Sequence, residues 1–220
     1  MTTAPIRWDE IDTVLLDMDG TLLDLKYDNV LWNEHLPARF AERHGLSVPA
    51  AKIHLERHFD ETRHTIEHYC LDYWTRFTRL DVVALHRDLT HLIRYRPHAE
   101  AFLARLEATD RRAVLVTNAH RGSLAIKDEI TSLTGRVDDA VSAHDFGVPK
   151  ESAEFWRRLH ARVAFDPMRT VLIDDNATVL HAAERHGIAR VLTVNQPDSS
   201  RPPRVGLVHP TFNTFDEILP

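Results

Sequence analysis

Two aspartates, Asp17 and Asp19, have the residue type and spacing in this sequence that most directly suggest chemistry. They lie in the string Asp-Met-Asp-Gly-Thr, directly after the short apolar run at residues 13–16. Two carboxylates this close repel each other unless a cation joins them, so their spacing favours a bound divalent metal. The alternative is a solvated acidic turn in which neither group has a chemical role.

Three apolar segments end in polar residues that suit phosphate chemistry. The first segment ends at Asp17, the second at Thr117 and Asn118, and the third at Asp174 and Asp175. Short apolar strands that alternate with helical segments predict a parallel sheet, in which the carboxyl ends of the strands share one edge. We therefore expect these distant side chains to converge.

The two aspartates of the first segment could divide the work of phosphoryl transfer. Asp17 could attack phosphorus and form an aspartyl-phosphate, as other carboxylate nucleophiles do. Asp19 could protonate the departing alkoxide and then deprotonate the water that hydrolyses the intermediate. Asp17, one or both of Asp174 and Asp175, and a backbone carbonyl beside Asp19 would supply hard oxygen ligands that suit Mg²⁺.

Positive charge and hydrogen-bond donors for the phosphate are expected from Thr117, Asn118 and Lys150. The first two offer a hydroxyl and an amide near the start of a predicted helix, and Lys150 follows a proline at another helix start. Each has a structural alternative, namely a helix cap for the Thr-Asn pair or for Asp174 and Asp175, and a solvated lysine for Lys150. These alternatives require the order and spacing of all the groups to be coincidental.

The composition is that of an ordinary globular chain, long enough for a full core with a smaller appended domain. Hydrophobic residues make up 43% of the 220 residues, no apolar stretch approaches the roughly 20 residues that span a bilayer, and no signal-peptide pattern is present. We expect a soluble cytoplasmic protein without a membrane partner. A net charge of −6 argues against nucleic-acid binding and allows a small phosphorylated substrate. The single cysteine, Cys70, excludes an intrachain disulfide and is expected to be buried in a helix.

The periodicity predicts an all-helical insertion at residues 24–94, placed after the first strand of a Rossmann-like core made of residues 1–23 and 95–220. The predicted helices of the insertion are 27–44, 49–58, 66–77 and 82–93. In the core, helices are predicted at 97–108, 123–132, 150–163 and 177–186, and strands at 113–116, 139–143, 170–173 and 190–194. This alternation predicts an α/β fold with a parallel sheet, followed by an irregular tail at 196–210 and a terminal turn at 215–219.

Four groups of residues resemble, in order, the four motifs of the haloacid dehalogenase (HAD) superfamily: Asp17-Met18-Asp19-Gly20-Thr21, Thr117-Asn118, Lys150 and Asp174-Asp175. The helical block lies where that superfamily inserts a type 1 cap. The resemblance implies that Asp17 is the nucleophile and Asp19 the acid/base. It also implies that Thr117 and Lys150 bind phosphate and that Asp175 binds the metal directly, with Asp174 binding directly or through water. The presence of Asp19 favours the phosphatases over the dehalogenases, which lack this second acid.

Further segments resemble bacterial nucleotidases of this superfamily that act on GMP and IMP: residues 12–25, 69–74, 117–120, 146–150 and 195–199. That likeness implies a purine nucleoside 5′-monophosphate as the substrate. Two alternatives remain. One is a phosphatase or phosphomutase acting on a small sugar phosphate, and the other is a non-enzymatic phosphate-binding or partner-binding domain.

The cap is expected to select the leaving group, because the catalytic edge contacts only a phosphate. The candidate substrate contacts are Asn29, Trp32, Tyr69, Tyr73 and His120. Core packing is the alternative for each aromatic ring, since the rings lie at helical spacing with other apolar residues. The histidine pairs of the cap lack the glutamate that a zinc protease needs, which favours surface histidines over a zinc site.

Overall fold

A computed structural model describes residues 6–220. Its strands are β1 Thr13–Leu16, β2 Arg112–Thr117, β3 Asp139–Ser142, β4 Thr170–Ile173, β5 Arg190–Val194 and β6 Thr211–Phe212. They form one sheet in the order β3-β2-β1-β4-β5-β6, and every neighbouring pair is parallel. The predicted α/β fold with a parallel sheet is confirmed. The short strand β6 was not predicted, because its two residues are too few to give a period.

Helices cover both faces of the sheet and also form a separate segment after β1. The α-helices of this segment are α1 Lys26–Val30, α2 Leu36–His44, α3 Val48–Thr62, α4 Leu71–Thr78 and α5 Val82–Asp88. After them come α6 Ala99–Glu107, α7 Arg121–Thr131, α8 Ala153–Val163 and α9 Ala177–His186. Among the described residues, every helix is too short or too polar to cross a bilayer.

Strand β1 is buried along its whole length because both of its faces are covered. Val14 and Leu16 pack in the cluster that includes α6 and α7, whereas Leu15 packs in the opposite cluster with α8 and α9. The register places Leu16 beside Leu115 of β2 and Ile173 of β4. The residues that follow these positions are therefore held at one edge of the sheet.

The helical segment, residues 24–94, has an apolar cluster of its own. Its fully buried members include Leu36, Leu55 and Trp74. The first predicted helix runs as α1, a wide π-helical turn at Leu31–His35, and α2. Gly45, in the left-handed conformation, ends it as the sequence predicts.

The predicted helix at residues 66–77 is wrong in one respect. A 3₁₀ turn at Ile66–Tyr69 and helix α4 take its place, and the two are separated at Cys70, whose backbone is extended. Cys70 is consequently half-buried, not buried within a helix. The last helix predicted in the helical segment, at residues 82–93, also ends early, at Asp88, and a 3₁₀ turn at Thr90–Leu92 follows it.

Two further boundaries differ from the prediction or refine it. Helix α8 begins at Ala153 with Ser152 as its N-cap, so Lys150 lies in the preceding turn and not at a helix start. The C-terminal segment forms the expected turn, at Phe215–Ile218, and Phe215 is fully buried against the core.

Candidate active site

Three carboxylates meet at the carboxyl edge of the sheet. Asp17 follows β1, and Asp174 and Asp175 follow β4, the neighbour of β1. One oxygen atom from each lies within 4.8 Å of the other two. The structure therefore brings together acids from distant parts of the chain, because the parallel register aligns the ends of these two strands.

Lys150 provides the positive charge beside these carboxylates. Its Nζ donates hydrogen bonds to Oδ1 of Asp17 and Oδ2 of Asp174, both at 2.6 Å, and to the carbonyl oxygen of Val116 at 3.0 Å. The side chain is 2% exposed. Two charged partners fix the position of this buried ammonium. Its single positive charge offsets only part of the negative charge of the three acids.

The ionisation of the cluster reflects its burial. Burial raises the pKa of Asp174 to about 7, with a further increase from the charge of Asp17, although Lys150 opposes both. Burial also raises the pKa values of Asp17 and Asp175, and the charges of neighbouring acids raise each pKa further. Two buried acids and the half-buried Asp175 around one lysine form an environment in which an additional cation would be stabilised.

The donor atoms of the cluster fit a magnesium ion. They are all hard carboxylate oxygens, which Mg²⁺ prefers. Both oxygens of Asp174 accept hydrogen bonds, from Lys150 and from the backbone N–H of Asn176, whereas no described residue donates one to the Asp175 carboxylate. This difference favours Asp175 as the carboxylate that is available to bind a metal directly.

Gly20 allows the turn after β1 to approach the cluster closely. Its φ of +83° lies in the left-handed region that favours glycine. A Cβ at this position would lie 2.8 Å from both Cγ and Oδ2 of Asp175. The sequence predicts a turn here, and the structure adds that any side chain would displace a metal-ligand candidate.

A second lysine, Lys127, binds the carboxylate of Asp19. Lys127 lies on α7 and is 1% exposed, and its Nζ donates to Oδ1 of Asp19 at 2.6 Å. It also donates to both oxygens of Asp28 on α1, at 2.8 and 3.0 Å. The Asp19 side chain is therefore engaged here and lies outside the three-carboxylate cluster.

Opposing effects act on the two charged groups of this pair. Burial, followed by the charge of Asp28, raises the pKa of Asp19 to about 6, although Lys127 opposes the increase. Burial by itself would lower the pKa of Lys127, but the two carboxylates more than offset that effect and raise it. No sequence pattern singled out Lys127, since a lysine on a helix is usually solvated.

Thr117 ends β2 and Asn118 follows it, at the same edge. Thr117 is 1% exposed, and its hydroxyl oxygen accepts a hydrogen bond from the backbone N–H of Ala119 at 3.0 Å. The amide of Asn118 accepts from the backbone N–H of Lys150 at 2.8 Å and donates to Glu151 at 3.1 Å. The side chain of Asn118 therefore ties the end of β2 to the turn that carries the catalytic-edge lysine.

The helix-cap alternatives for these residues do not hold. His120, not the Thr-Asn pair, is the N-cap of α7, and its Nδ1 accepts from the backbone N–H of Gly122 at 3.1 Å. Asn176, not either aspartate before it, is the N-cap of α9. The polar residues that end β2 and β4 are thus not the residues that cap the following helices.

Glu151 joins the helical segment to this edge and was missed by sequence reasoning. Its Oε1 accepts from the hydroxyl of Tyr69 at 2.7 Å and from Asn176 at 3.3 Å, while Oε2 accepts from Asn118. It therefore connects two strand ends to one cap-region aromatic residue. A glutamate directly after the edge lysine is the only sequence signal that could have suggested this position.

A cavity of ≈ 580 Å³ opens over the carboxylates. Its size falls within the range of small-molecule sites, roughly 300–1,000 Å³. The sheet edge forms its floor and the helical segment contributes much of its wall. Four of the predicted substrate contacts line it: Asn29, Trp32, Tyr69 and His120.

Tyr73, the fifth predicted substrate contact, is not brought to the cavity. Its hydroxyl lies 2.7 Å from Nε2 of His58, and the two rings are stacked with centroids 5.6 Å apart. The break at Cys70 separates Tyr69 from Tyr73, so the two residues do not share a helix face. The ring packs against the apolar cluster of the helical segment, as the core-packing alternative expects.

The irregular tail supports the start of the first helix. Asp198 is 2% exposed and accepts a hydrogen bond from Nδ2 of Asn29 at 2.7 Å. The backbone N–H of Leu25 donates to the carbonyl oxygen of Pro197 at 3.0 Å. The segment at residues 195–199 is therefore a support for the start of α1, which carries two cavity-facing residues.

The sequence matches the haloacid dehalogenase-like hydrolase family over residues 11–187. It is 36% identical over 215 residues to the GMP/IMP nucleotidase YrfG of Escherichia coli (strain K12), an alignment that covers 98% of this chain and 97% of that protein.

Solved structures give the same fold. A HAD phosphatase from Thermococcus onnurineus superposes with a TM-score of 0.77 at 18% identity, covering 94% of this chain and 95% of the other. The magnesium-bound YfnB of Bacillus subtilis superposes with a TM-score of 0.64 at 17% identity, covering 94% and 96%. At these identities the superpositions establish the fold alone.

Proposed function

The chain belongs to the haloacid dehalogenase-like hydrolase family and is a phosphatase, and we propose that it hydrolyses the purine nucleoside 5′-monophosphates IMP and GMP with the help of Mg²⁺. The similarity to a GMP/IMP nucleotidase along nearly the whole chain supports this substrate class. The observation that carries the proposal is the contact of Lys150 with both Asp17 and Asp174 beneath a cavity of nucleotide size. The expected partner is a free nucleotide in the cytoplasm, not a nucleic acid.

Asp17 acts as the nucleophile in this proposal. Its carboxylate attacks phosphorus, the phosphorus–oxygen bond to the nucleoside 5′ oxygen breaks, and an aspartyl-phosphate forms. Lys150 holds one oxygen of the carboxylate and so orients the other for attack. Burial favours the reaction, because a poorly hydrated carboxylate is a better nucleophile than one in bulk water.

Asp19 acts as the general acid and then as the general base. In the first step it gives a proton to the departing 5′ oxygen, which leaves as an alcohol. In the second step it takes a proton from the water that attacks the aspartyl-phosphate, which releases phosphate and regenerates Asp17. A pKa of about 6 suits a group that must carry out both transfers near neutral pH.

The remaining residues of the edge hold the phosphate and the metal. Thr117 and Lys150 contact the phosphate oxygens, and Asn118 holds the turn of Lys150 in place. Asp17, Asp174, Asp175 and the backbone of Asp19 would hold Mg²⁺, which supplies positive charge to the phosphate oxygens when bound. Asp175 would bind the metal directly, and Asp174 would bind it directly or through water.

Residues 24–94 act as a cap over the catalytic core of residues 1–23 and 95–220. The cap keeps water from the aspartyl-phosphate until the nucleoside has left, and it selects the leaving group. Trp32 and Tyr69 offer ring faces to a purine, and Asn29 and His120 offer polar groups to the base or the ribose. All four residues line the cavity, which supports this assignment.

A substrate panel tests the proposal. The purified protein is assayed for phosphate release with Mg²⁺ against nucleoside 5′-monophosphates and sugar phosphates, and kcat/KM is determined for each. We expect IMP and GMP to have the highest kcat/KM, and we expect Asp17→Asn to abolish release from every substrate. A sugar phosphate with a higher kcat/KM than either nucleotide would overturn the substrate assignment. Turnover by the Asp17→Asn variant would overturn the nucleophile assignment.

A further inference from the structure

Lys127 is a buried charge at the boundary between the helical segment and the sheet. Its side chain is 2% exposed, and its ammonium makes three charge-assisted hydrogen bonds, one to Asp19 and two to Asp28. The Nζ also lies 5.1 Å from the centroid of the Tyr27 ring. A lysine is rarely buried to this extent unless its charge is fully paired, and here the two carboxylates stabilise the buried ammonium.

The geometry distinguishes Lys127 from Lys150. Lys150 binds the nucleophile and the acid Asp174, whereas Lys127 binds neither and contacts Asp19 alone among the catalytic-edge acids. The two lysines therefore hold two different carboxylates, one for attack and one for proton transfer. Each restrains its carboxylate by a contact of 2.6 Å.

Asp28 makes the arrangement depend on the helical segment. It lies on α1, two residues after the start of that helix, while Asp19 belongs to the turn after β1 and Lys127 to α7. Asp28 binds the ammonium with both of its oxygens. Without Asp28, Lys127 would keep Asp19 as its only charged partner and would be free to move around it.

Resting on the function proposed above, we infer that Lys127 is a positioning residue: it holds the Asp19 carboxylate where it can protonate the leaving oxygen, and Asp28 fixes Lys127 when the helical segment lies on the core. Lys127 acts through Oδ1 of Asp19 and transfers no proton itself. Its contribution is confined to the step that needs Asp19. Loss of Lys127 should therefore matter most for substrates whose leaving group must be protonated.

Leaving-group dependence provides the readout. An alkoxide leaves from a nucleoside 5′-monophosphate only with a proton, whereas 4-nitrophenolate leaves from 4-nitrophenyl phosphate without one. The quantity to compare is kcat/KM, because it reports the formation of the aspartyl-phosphate and not its later hydrolysis. We expect Lys127→Met to lower kcat/KM for IMP by about 10²-fold, the lower end of a general-acid contribution. For 4-nitrophenyl phosphate, the loss should be no larger than the control variant gives.

Arg87→Gln is the matched control. Arg87 on α5 forms a two-bond ion pair with Glu129 on α7, at 2.8 and 3.0 Å, so it also joins the helical segment to the core helix that carries Lys127. It touches none of the edge carboxylates. Arg87→Gln should change both substrates equally, and Asp28→Asn should lower the IMP value selectively but by less than Lys127→Met.

Two steps keep the experiment decisive. Circular dichroism and thermal unfolding establish that each variant is folded. If Lys127→Met does not fold, the double variant Lys127→Met/Asp28→Leu removes the unpaired acid together with the lysine, and the same selective loss is expected. Equal losses for both substrates would overturn the inference while leaving the phosphatase assignment intact. An inactive wild-type protein would instead overturn the proposed function itself.

Discussion

The Nζ atom of Lys150 lies 2.6 Å from Oδ1 of Asp17, although 133 positions separate the two residues. The pairing of β1 with β4, and of β1 with β2, places the ends of these strands side by side, and the turn before α8 adds the lysine. A contact so distant in sequence and so short in space depends on the whole sheet. Substituting each residue in turn should therefore distinguish effects on activity from effects on stability.

Replacing Asp17 by Asn should abolish phosphate release without unfolding the protein. The amide has nearly the volume of the carboxylate and can still accept from Lys150, but it is not a nucleophile. Removing one of three neighbouring negative charges should leave the melting temperature in EDTA unchanged or higher. Phosphate release and thermal unfolding check both halves, and a clear fall in melting temperature would show that the carboxylate is needed for folding.

Replacing Lys150 by Met should have the opposite structural effect. It leaves Asp17 and Asp174 buried without their shared cation, and breaking a buried ion pair in this way costs roughly 3–5 kcal/mol of unfolding free energy. Activity should be lost as well. Urea unfolding of the variant, compared with Asp17→Asn under the same conditions, measures the difference, and equal stabilities would contradict the role of Lys150 in balancing these charges.

Mg²⁺ should stabilise the protein against heat through Asp175. A ligand that binds only the folded state at about 100 times its dissociation constant adds about 2.7 kcal/mol. Thermal unfolding in EDTA and in Mg²⁺ should show this increase in the wild type and not in Asp175→Asn. Asp216→Asn is the control, because that carboxylate is half exposed in the C-terminal turn, and loss of the increase in this control would point to a general salt effect.

Replacing Gly20 by Ala should impair the active site as well as the backbone. The left-handed conformation at φ +83° costs a non-glycine residue roughly 1–2 kcal/mol, and the new Cβ would lie 2.8 Å from the Asp175 carboxylate. Gly45→Ala is the matched control, since its φ is +66° and no atom lies within 4 Å of the added Cβ. Both variants should lose stability, but only Gly20→Ala should lose activity and the stabilisation by Mg²⁺.

The catalytic edge could be predicted because each strand that forms it is a short, uninterrupted apolar run. Such runs are typical of strands buried on both faces, and in parallel sheets their carboxyl ends must share an edge. The convergence of Asp17, Thr117 and Asp174 could therefore be predicted without any knowledge of the intervening chain. Lys150 was predicted from its order in the sequence, although its helix begins three residues later than the pattern indicates.

The second lysine could not be found in the same way. Lys127 follows Leu124 by three positions, so it lies on the buried face of α7, but a helical period alone does not distinguish a paired lysine from one that extends to solvent. The partners that justify its burial, Asp19 and Asp28, come from two other elements. Tyr73 does not line the cavity for a local reason, because the extended backbone at Cys70 interrupts the helical period on which its prediction depended.

His86 should make the stability of the protein depend on pH. The ring is 1% exposed, its Nδ1 lies 2.8 Å from the hydroxyl of Tyr27, and its Nε2 is buried with no hydrogen-bond partner among the described residues. Burial, and next the charge of Lys127, lower the pKa of His86 to about 3. Since the pKa in the unfolded chain is about 6.5, only the unfolded state takes up this proton between about pH 6.5 and pH 3.

The sign follows from that difference in proton uptake. The destabilisation is absent above about pH 6.5 and grows as the pH falls, by up to about 1.4 kcal/mol per pH unit for one proton. His86→Gln has no such group, so the wild type should lose unfolding free energy more steeply than the variant between pH 6 and pH 4.5 in urea titrations. His91→Gln removes an exposed histidine of the same helical segment and should keep the wild-type slope. Parallel slopes for the wild type and His86→Gln would mean that the ring takes up its proton in the folded protein as readily as in the unfolded chain.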